Sequence, residues 1–199
     1  MLVLRKALAL GSVERGVYRL RGDVRINGQT AQQGQEIRAG DTVTTGPGAE
    51  LVFVIGRDAY LVRERSSLSF GADALRLVTG AVLSVFGKGT PRRIETPTAT
   101  IGIRGTGVYV ESEPSRTYVC TCYGEADLAA RGDPAARETV RTRHHEAPRY
   151  IMAGGAPQML MQAPVINHTD AELILLESLV GRRPPFMETG STYPAAPAR

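Results

Sequence analysis

Cysteine is scarce in this chain of 199 residues: Cys120 and Cys122 are the only two. That is too few for the disulfide framework that staples small secreted domains, so the fold must rest on its own core. The pair does not assign a redox compartment either, because one bridge and two free thiols are both open. No block of Lys and Arg stands apart from the 20 acidic residues scattered along the sequence, and the net charge is only +4. A concentrated nucleic-acid footprint is thereby excluded. No apolar run approaches the roughly 20 residues of a membrane-spanning helix. The opening MLVLRKALAL places Arg5 and Lys6 ahead of Ala7 to Leu10, an order that fits the end of a secretory segment as well as an ordinary N-terminus. Also missing are a phosphate-binding loop, a nucleophile elbow and a paired-carboxylate cluster, and the serines around Ser66 have no histidine near them in sequence. These absences argue against an enzyme.

What is present is a succession of short runs rich in β-branched and aromatic residues, from about Val13 to Tyr123. They are VYRL, VRI, DTVTT, ELVFVI, AYLV, LRLV, AVLSVF, ATIGI, VYVES and TYVCTC. Turn formers separate many of them: Asn27-Gly28, Gly40-Asp41, Gly46-Pro47-Gly48, Gly56-Arg57-Asp58 and Gly87-Lys88-Gly89. This spacing predicts strands joined by tight turns and leaves no room for long helices. Runs such as LVFVI are apolar at successive positions, which fits burial on both faces and favours a wrapped architecture over a meander with one wet face.

Past Gly124 the composition becomes charged and alanine-rich, with a loop at Gly132-Asp133-Pro134, before TVRTRHHEAPRYI resumes a strand-like pattern. Thr169-Asp170-Ala171-Glu172 then reads as a capping box. Leu173, Leu176, Leu179 and Val180 follow at helical spacing, and Gly181 with Pro184-Pro185 ends the run. The expected organisation is a β domain over 13–123, an extension over 124–166 carrying His144 and His145, a helix over 167–181 and a disordered tail over 182–199. Arg-Gly-Asp at 21–23 and at 131–133 falls where turns are expected, and the sequon Asn167-His168-Thr169 coincides with the helix start.

Four pieces taken together carry a resemblance. GDVRING supplies G-x-V-x-x-N-G, AGDTVTTG supplies A-G-D-x-V-x-T-G, an apolar strand follows, and then come T-P-x-A and the R-G-T of Arg104, Gly105 and Thr106. Over about 13–123 the chain resembles the FecR-domain family, the β-rich sensor domain named for the ferric-citrate regulator of bacteria. The resemblance implies an all-β fold, a β-roll or solenoid-like domain here followed by a C-terminal helix. It also implies a place in the periplasm or cell envelope, a role in signal transduction and iron regulation, and action through a protein partner. Many members carry a spanning helix and a cytoplasmic anti-sigma segment. Neither precedes the domain in this sequence, so the likeness is to the stand-alone members. Read physically, Arg104 is a structural residue whose planar guanidinium clamps carbonyls or a carboxylate and closes a coil of the β structure.

On a strand, Cys120 and Cys122 point to one face, with Cα atoms roughly 6.5 to 7 Å apart, at or beyond the limit for a disulfide. Two thiolates joined by imidazoles from His144, His145 or His168 would make a Cys2His2 set suited to zinc or ferrous iron. The candidate metal residues are Cys120, Cys122, His144 and His145. Adjacent histidines on a strand face opposite ways, so one of the two at most would ligate. A strained bridge, or two small buried residues with histidines capping a polar surface, stand as the other readings, because C-x-C is not the C-x2-C spacing of zinc knuckles. The leading function is a non-enzymatic envelope sensor or scaffold of FecR type. A thiol-redox or metal-dependent protein using Cys120 and Cys122, or a cell-wall or polysaccharide-binding module, are the alternatives.

Overall fold

The computed structural model describes residues 15–89, 92–133 and 135–189. The secretory reading of the first ten residues, Pro134, and the tail beyond 189 lie outside them. The chain runs through β1 (Gly16–Arg21), β2 (Val24–Ile26), β3 (Gln29–Thr30), β4 (Thr42–Thr45), β5 (Glu50–Ile55), β6 (Asp58–Val62) and β7 (Ser67–Phe70). Three long strands follow, β8 (Ala74–Val85), β10 (Ala99–Glu113) and β11 (Arg116–Ala130), with the short β9 (Arg92–Glu95) ahead of β10. The sheet is completed by β12 (Arg137–Thr142), β13 (Arg149–Met152) and β14 (Leu160–Gln162), and helices α1 (Asp170–Leu179) and α2 (Phe186–Thr189) end the described chain. Among the described residues, all 14 strands belong to one hydrogen-bonded sheet. The protein is all-β with a C-terminal helix, as its sequence pattern implies.

The long strands join runs that the sequence punctuates as separate. LRLV and AVLSVF are both in β8, ATIGI and VYVES are both in β10, and β11 passes through the composition shift at Gly124 without a break. The intervening glycines bend strands here instead of ending them: Gly80, Gly105 and Gly124 have φ of +86, +66 and +92°, a region that a Cβ opposes. At each bend the strand changes neighbours. The first half of β8 lies between β7 and the parallel β9, and its second half lies between β6 and β10. In the same way the start of β11 pairs with β13 and its end with β12.

This folding-over makes two cores. Leu51, Phe53, Val82, Val108, Val110 and Val119 from one set of strands meet Val24, Val43, Leu68, Leu77, Ile94, Ile101 and Leu128 from the other. The reverse face of the first set presents Val52, Val54, Leu61, Leu83, Tyr109, Tyr118, Cys120 and Cys122, and Leu173, Leu176, Leu179 and Phe186 of the C-terminal segment cover it. The unbroken LVFVI run is thereby explained: Leu51 and Phe53 face one core, and Val52 and Val54 face the other. Each of the three helix leucines is buried and contributes about 1.5 to 3 kcal/mol as an upper estimate.

Helix α1 starts as its sequence dictates. The Thr169 hydroxyl accepts from the Glu172 amide while the Glu172 carboxylate accepts from the Thr169 amide. Its end is a Schellman turn, with Gly181 at φ +70° and the Arg182 amide donating to Glu177 O at 2.9 Å. Residues 182–189, expected within a tail, carry a second short helix and contacts to the body of the fold. Arg182 donates to the buried Glu177 and to Arg57 O, and Phe186 is buried beside Tyr123.

Candidate functional site

The R-G-T element lies inside β10 at an irregularity in its pairing with β11. Gly105 supplies the positive φ, and the buried Thr106 hydroxyl donates to Glu125 O at 2.7 Å and accepts from the Glu125 amide. Opposite it, a side chain at Gly124 would meet Gly105 O at 2.9 Å. Arg104 does pair with carboxylates, Asp127 at 2.8 Å and Glu125 at 3.6 Å. It does so on the surface, with 65% of its side chain exposed, so it does not close a coil from inside. The other two motifs hold each other: Asn27 donates to the Asp41 carboxylate and accepts from the Thr42 amide, and Asp41 also accepts from the Arg38 amide. The motif residues thus build turns and bends.

Chemistry concentrates elsewhere, beneath α1. Strand alternation puts Cys120 and Cys122 on the α1-facing side of β11, fully buried, with neighbouring Tyr118 and Tyr109. Both are free thiols. The chain leaves β12 at Thr142 and turns, with the Glu146 carboxylate accepting from the amides of Arg143 and His144. His145 takes φ +60°. The segment is therefore not a strand at the histidines, and alternation does not apply: the two rings lie 4.9 Å apart and both reach Asp170. His145 continues inward, its Nδ1 3.3 Å from Cys120 Sγ and 3.1 Å from His168 Nε2. His168, placed just before the Thr169 cap, stacks on Tyr109 with centroids 4.6 Å apart.

The structure thus brings Cys120, Cys122, His145 and His168 together, with one ligand atom from each within 4.8 Å of the others. His144 does not join the sulfurs. Its Nε2 sits 2.9 and 3.0 Å from the Asp170 oxygens, and its ring stacks on Phe186. Sequence reasoning missed Asp170 as a partner, having read it only as part of the capping-box stretch from Thr169 to Glu172.

The cluster is electrostatically polarised. Burial would push the Cys120 thiol up, but the neighbouring Cys122 thiol and the imidazoles of His145 and His168 outweigh it and hold Cys120 well below the usual thiol range. Cys122, wholly buried beside that charge, is pushed well above it, and its thiol donates to Cys120 O at 3.6 Å. Burial works against a charge on His145, yet Cys120 and Asp170 together raise it. A buried thiolate beside an imidazole is nucleophilic in principle, but thiol–disulfide exchange needs access, and neither sulfur has any.

No protein-family model matches the chain, and no curated protein sequence does. Its fold is shared with crystal structures of candidate anti-sigma factors from Parabacteroides distasonis. One, at 1.65 Å resolution, has a TM-score of 0.51 and 8% identity, covering 61% of this chain and 58% of that one. Another, at 2.50 Å, has a TM-score of 0.51 and 11% identity, covering 67% of this chain and 70% of the other. The chain therefore matches less than two thirds of the first of these structures. Identities this low speak to the fold alone. Among the described residues no helix is long and apolar enough to cross a membrane.

Proposed function

We propose that this chain is a non-catalytic regulatory module of FecR type, acting in the cell envelope through contact with a protein partner of an iron-uptake signalling system. The observation that supports it is the fold shared with candidate anti-sigma factors. The motif residues agree with this reading, since Asn27, Asp41, Gly105 and Thr106 are engaged in building the sheet. A sensor of this kind needs a stable scaffold and an exposed face, and no group that turns over substrate.

The test is made in the native host. A fusion of the full-length gene to a β-lactamase that works only outside the cytoplasm should confer ampicillin resistance. Deleting the gene should change transcription of iron-uptake genes in response to ferric chelates, and the Leu176→Asp chain, with a charge buried in the helix core, should fail to complement. A sensitive fusion strain would overturn the envelope assignment. An unchanged transcriptional response would overturn the regulatory one.

A further inference from the structure

We propose that Cys120, Cys122, His145 and His168 form a closed tetrahedral zinc site that clamps the C-terminal segment onto the sheet. The inference is independent of the regulatory reading, since it concerns how this fold is held.

Hydrogen-bond accounting carries the argument. His168 Nδ1 lies 2.6 Å from Ile166 O, and a carbonyl only accepts, so the ring proton is on Nδ1 and Nε2 keeps its lone pair. His145 Nε2 lies 3.1 Å from the Asp170 carboxylate, which places the proton of the neutral ring there and its lone pair on Nδ1. These two lone-pair nitrogens face each other at 3.1 Å, with Cys120 Sγ 3.3 Å from one of them. Acceptors that close repel unless a cation sits among them. A single shared proton serves one contact at most. A divalent metal serves all four ligands at once, with both thiols releasing their protons to solvent and the two thiolates balancing its charge.

The surroundings are those of a metal site. Each ligating imidazole has its other nitrogen held by an acceptor, a carbonyl for His168 and a carboxylate for His145, an arrangement that fixes the tautomer and strengthens the ligand. Asp170 is itself held by His144. Two sulfurs and two imidazoles select a soft to borderline ion over magnesium or calcium. All four residues are buried, His145 and His168 being only 2% exposed, so no coordination position is left open for substrate and the site is structural. His144, His145 and Asp170 also converge, but that set lacks sulfur, and its contacts are those of imidazole N–H groups on a carboxylate. The four ligands come from β11, from the turn after β12 and from the residue before the α1 cap. Zinc would therefore tie three separate parts of the chain.

The full chain, purified without chelators, should carry about one zinc per molecule by elemental analysis. X-ray absorption should show two sulfur scatterers at about 2.3 Å and two nitrogen scatterers at about 2.0 to 2.1 Å. Removing the metal with a strong chelator should lower the melting temperature and expose the 163–189 segment to hydrogen exchange, and zinc alone should reverse both. Cys120→Ser, Cys122→Ser and His168→Gln should lose stoichiometric zinc, His144→Gln should keep it, and Asp170→Asn should bind about 10- to 100-fold more weakly. The absorption spectrum and the zinc titration need only the wild type, so they decide the matter even where a variant fails to fold. Less than half an equivalent bound with excess zinc, or a shell without sulfur, would overturn the site. Iron in the same shell would overturn the choice of zinc.

Discussion

Glu177 is a carboxylate 4% exposed in the last turn of α1, accepting from the Tyr123 hydroxyl and from Arg182 Nε, both at 2.5 Å. Arg182 also donates to Arg57 O at 2.7 Å, while its Nη2 is buried without a partner among the described residues. Arg182→Leu leaves the glutamate with only the tyrosine, and Glu177→Leu leaves a largely buried guanidinium and the Tyr123 hydroxyl unanswered. Removing one member of a buried pair costs about 3 to 5 kcal/mol, and the surviving Tyr123 bond or the partial exposure of Arg182 places each single variant near about 3 kcal/mol. The double variant buries two apolar side chains where two charges stood. What remains is the stranded Tyr123 hydroxyl and the lost bond to Arg57 O, together about 3 kcal/mol. The singles sum to about 6 kcal/mol, so the coupling is about 3 kcal/mol. Adding Tyr123→Phe to the double should restore about 1 kcal/mol. Urea unfolding at pH 7, followed by far-ultraviolet circular dichroism and tyrosine fluorescence, gives each value from the midpoint and slope. Additive single effects would refute the reasoning, because they would mean that Glu177 and Arg182 are each answered by water.

Gly105→Val should lower stability by more than about 1 kcal/mol, because φ is +66° and the new Cβ would sit 2.8 Å from Lys88 Cγ; Lys88→Ala should not rescue it, the strain lying in the backbone, and an unchanged melting temperature would count against this. Arg104→Ala should cost less than about 1 kcal/mol, and less still in high salt, since its ion pairs are on the surface. Thr117→Val should cost about 1 to 3 kcal/mol, as the Thr117 hydroxyl joins those of Thr96 and Thr98 at 2.6 and 2.7 Å in the interior; a neutral result would show that those two hydroxyls find other partners. Asp41 is held below the usual carboxylate range by the Asn27 amide and the Arg38 backbone. Its contribution should be present above the unfolded value of about 3.9 and vanish as pH falls through the lower folded value, so the stability difference between wild type and Asp41→Ala should shrink in acid.

The helix was the most legible element, because its signals are local. The capping box at Thr169 and Glu172, the leucine spacing and Gly181 each act within one or two turns of chain, and each is found as read. Burial of LVFVI on two faces was legible for a similar reason: successive apolar side chains on a strand point opposite ways, so both faces must be dry. Strand partners were not. Glycines at 80, 105 and 124 have the same local preference whether they end a strand or bend it, and only pairing with distant segments decides which. For that reason one long β10 reads as two short strands.

The sequence by itself determined that this protein is a β structure with a capped C-terminal helix, and that two sulfurs share one face of a strand, because backbone periodicity and turn chemistry are properties of neighbouring residues. Tertiary structure alone decided which imidazoles meet those sulfurs. His145 leaves the strand pattern through a positive φ, His168 arrives from 46 positions beyond Cys122 on the lip of a helix, and His144 turns to Asp170. Such meetings are set by how the folded-over sheet and the helix pack around their shared core, and packing over that distance leaves no mark in the spacing of the residues it brings together.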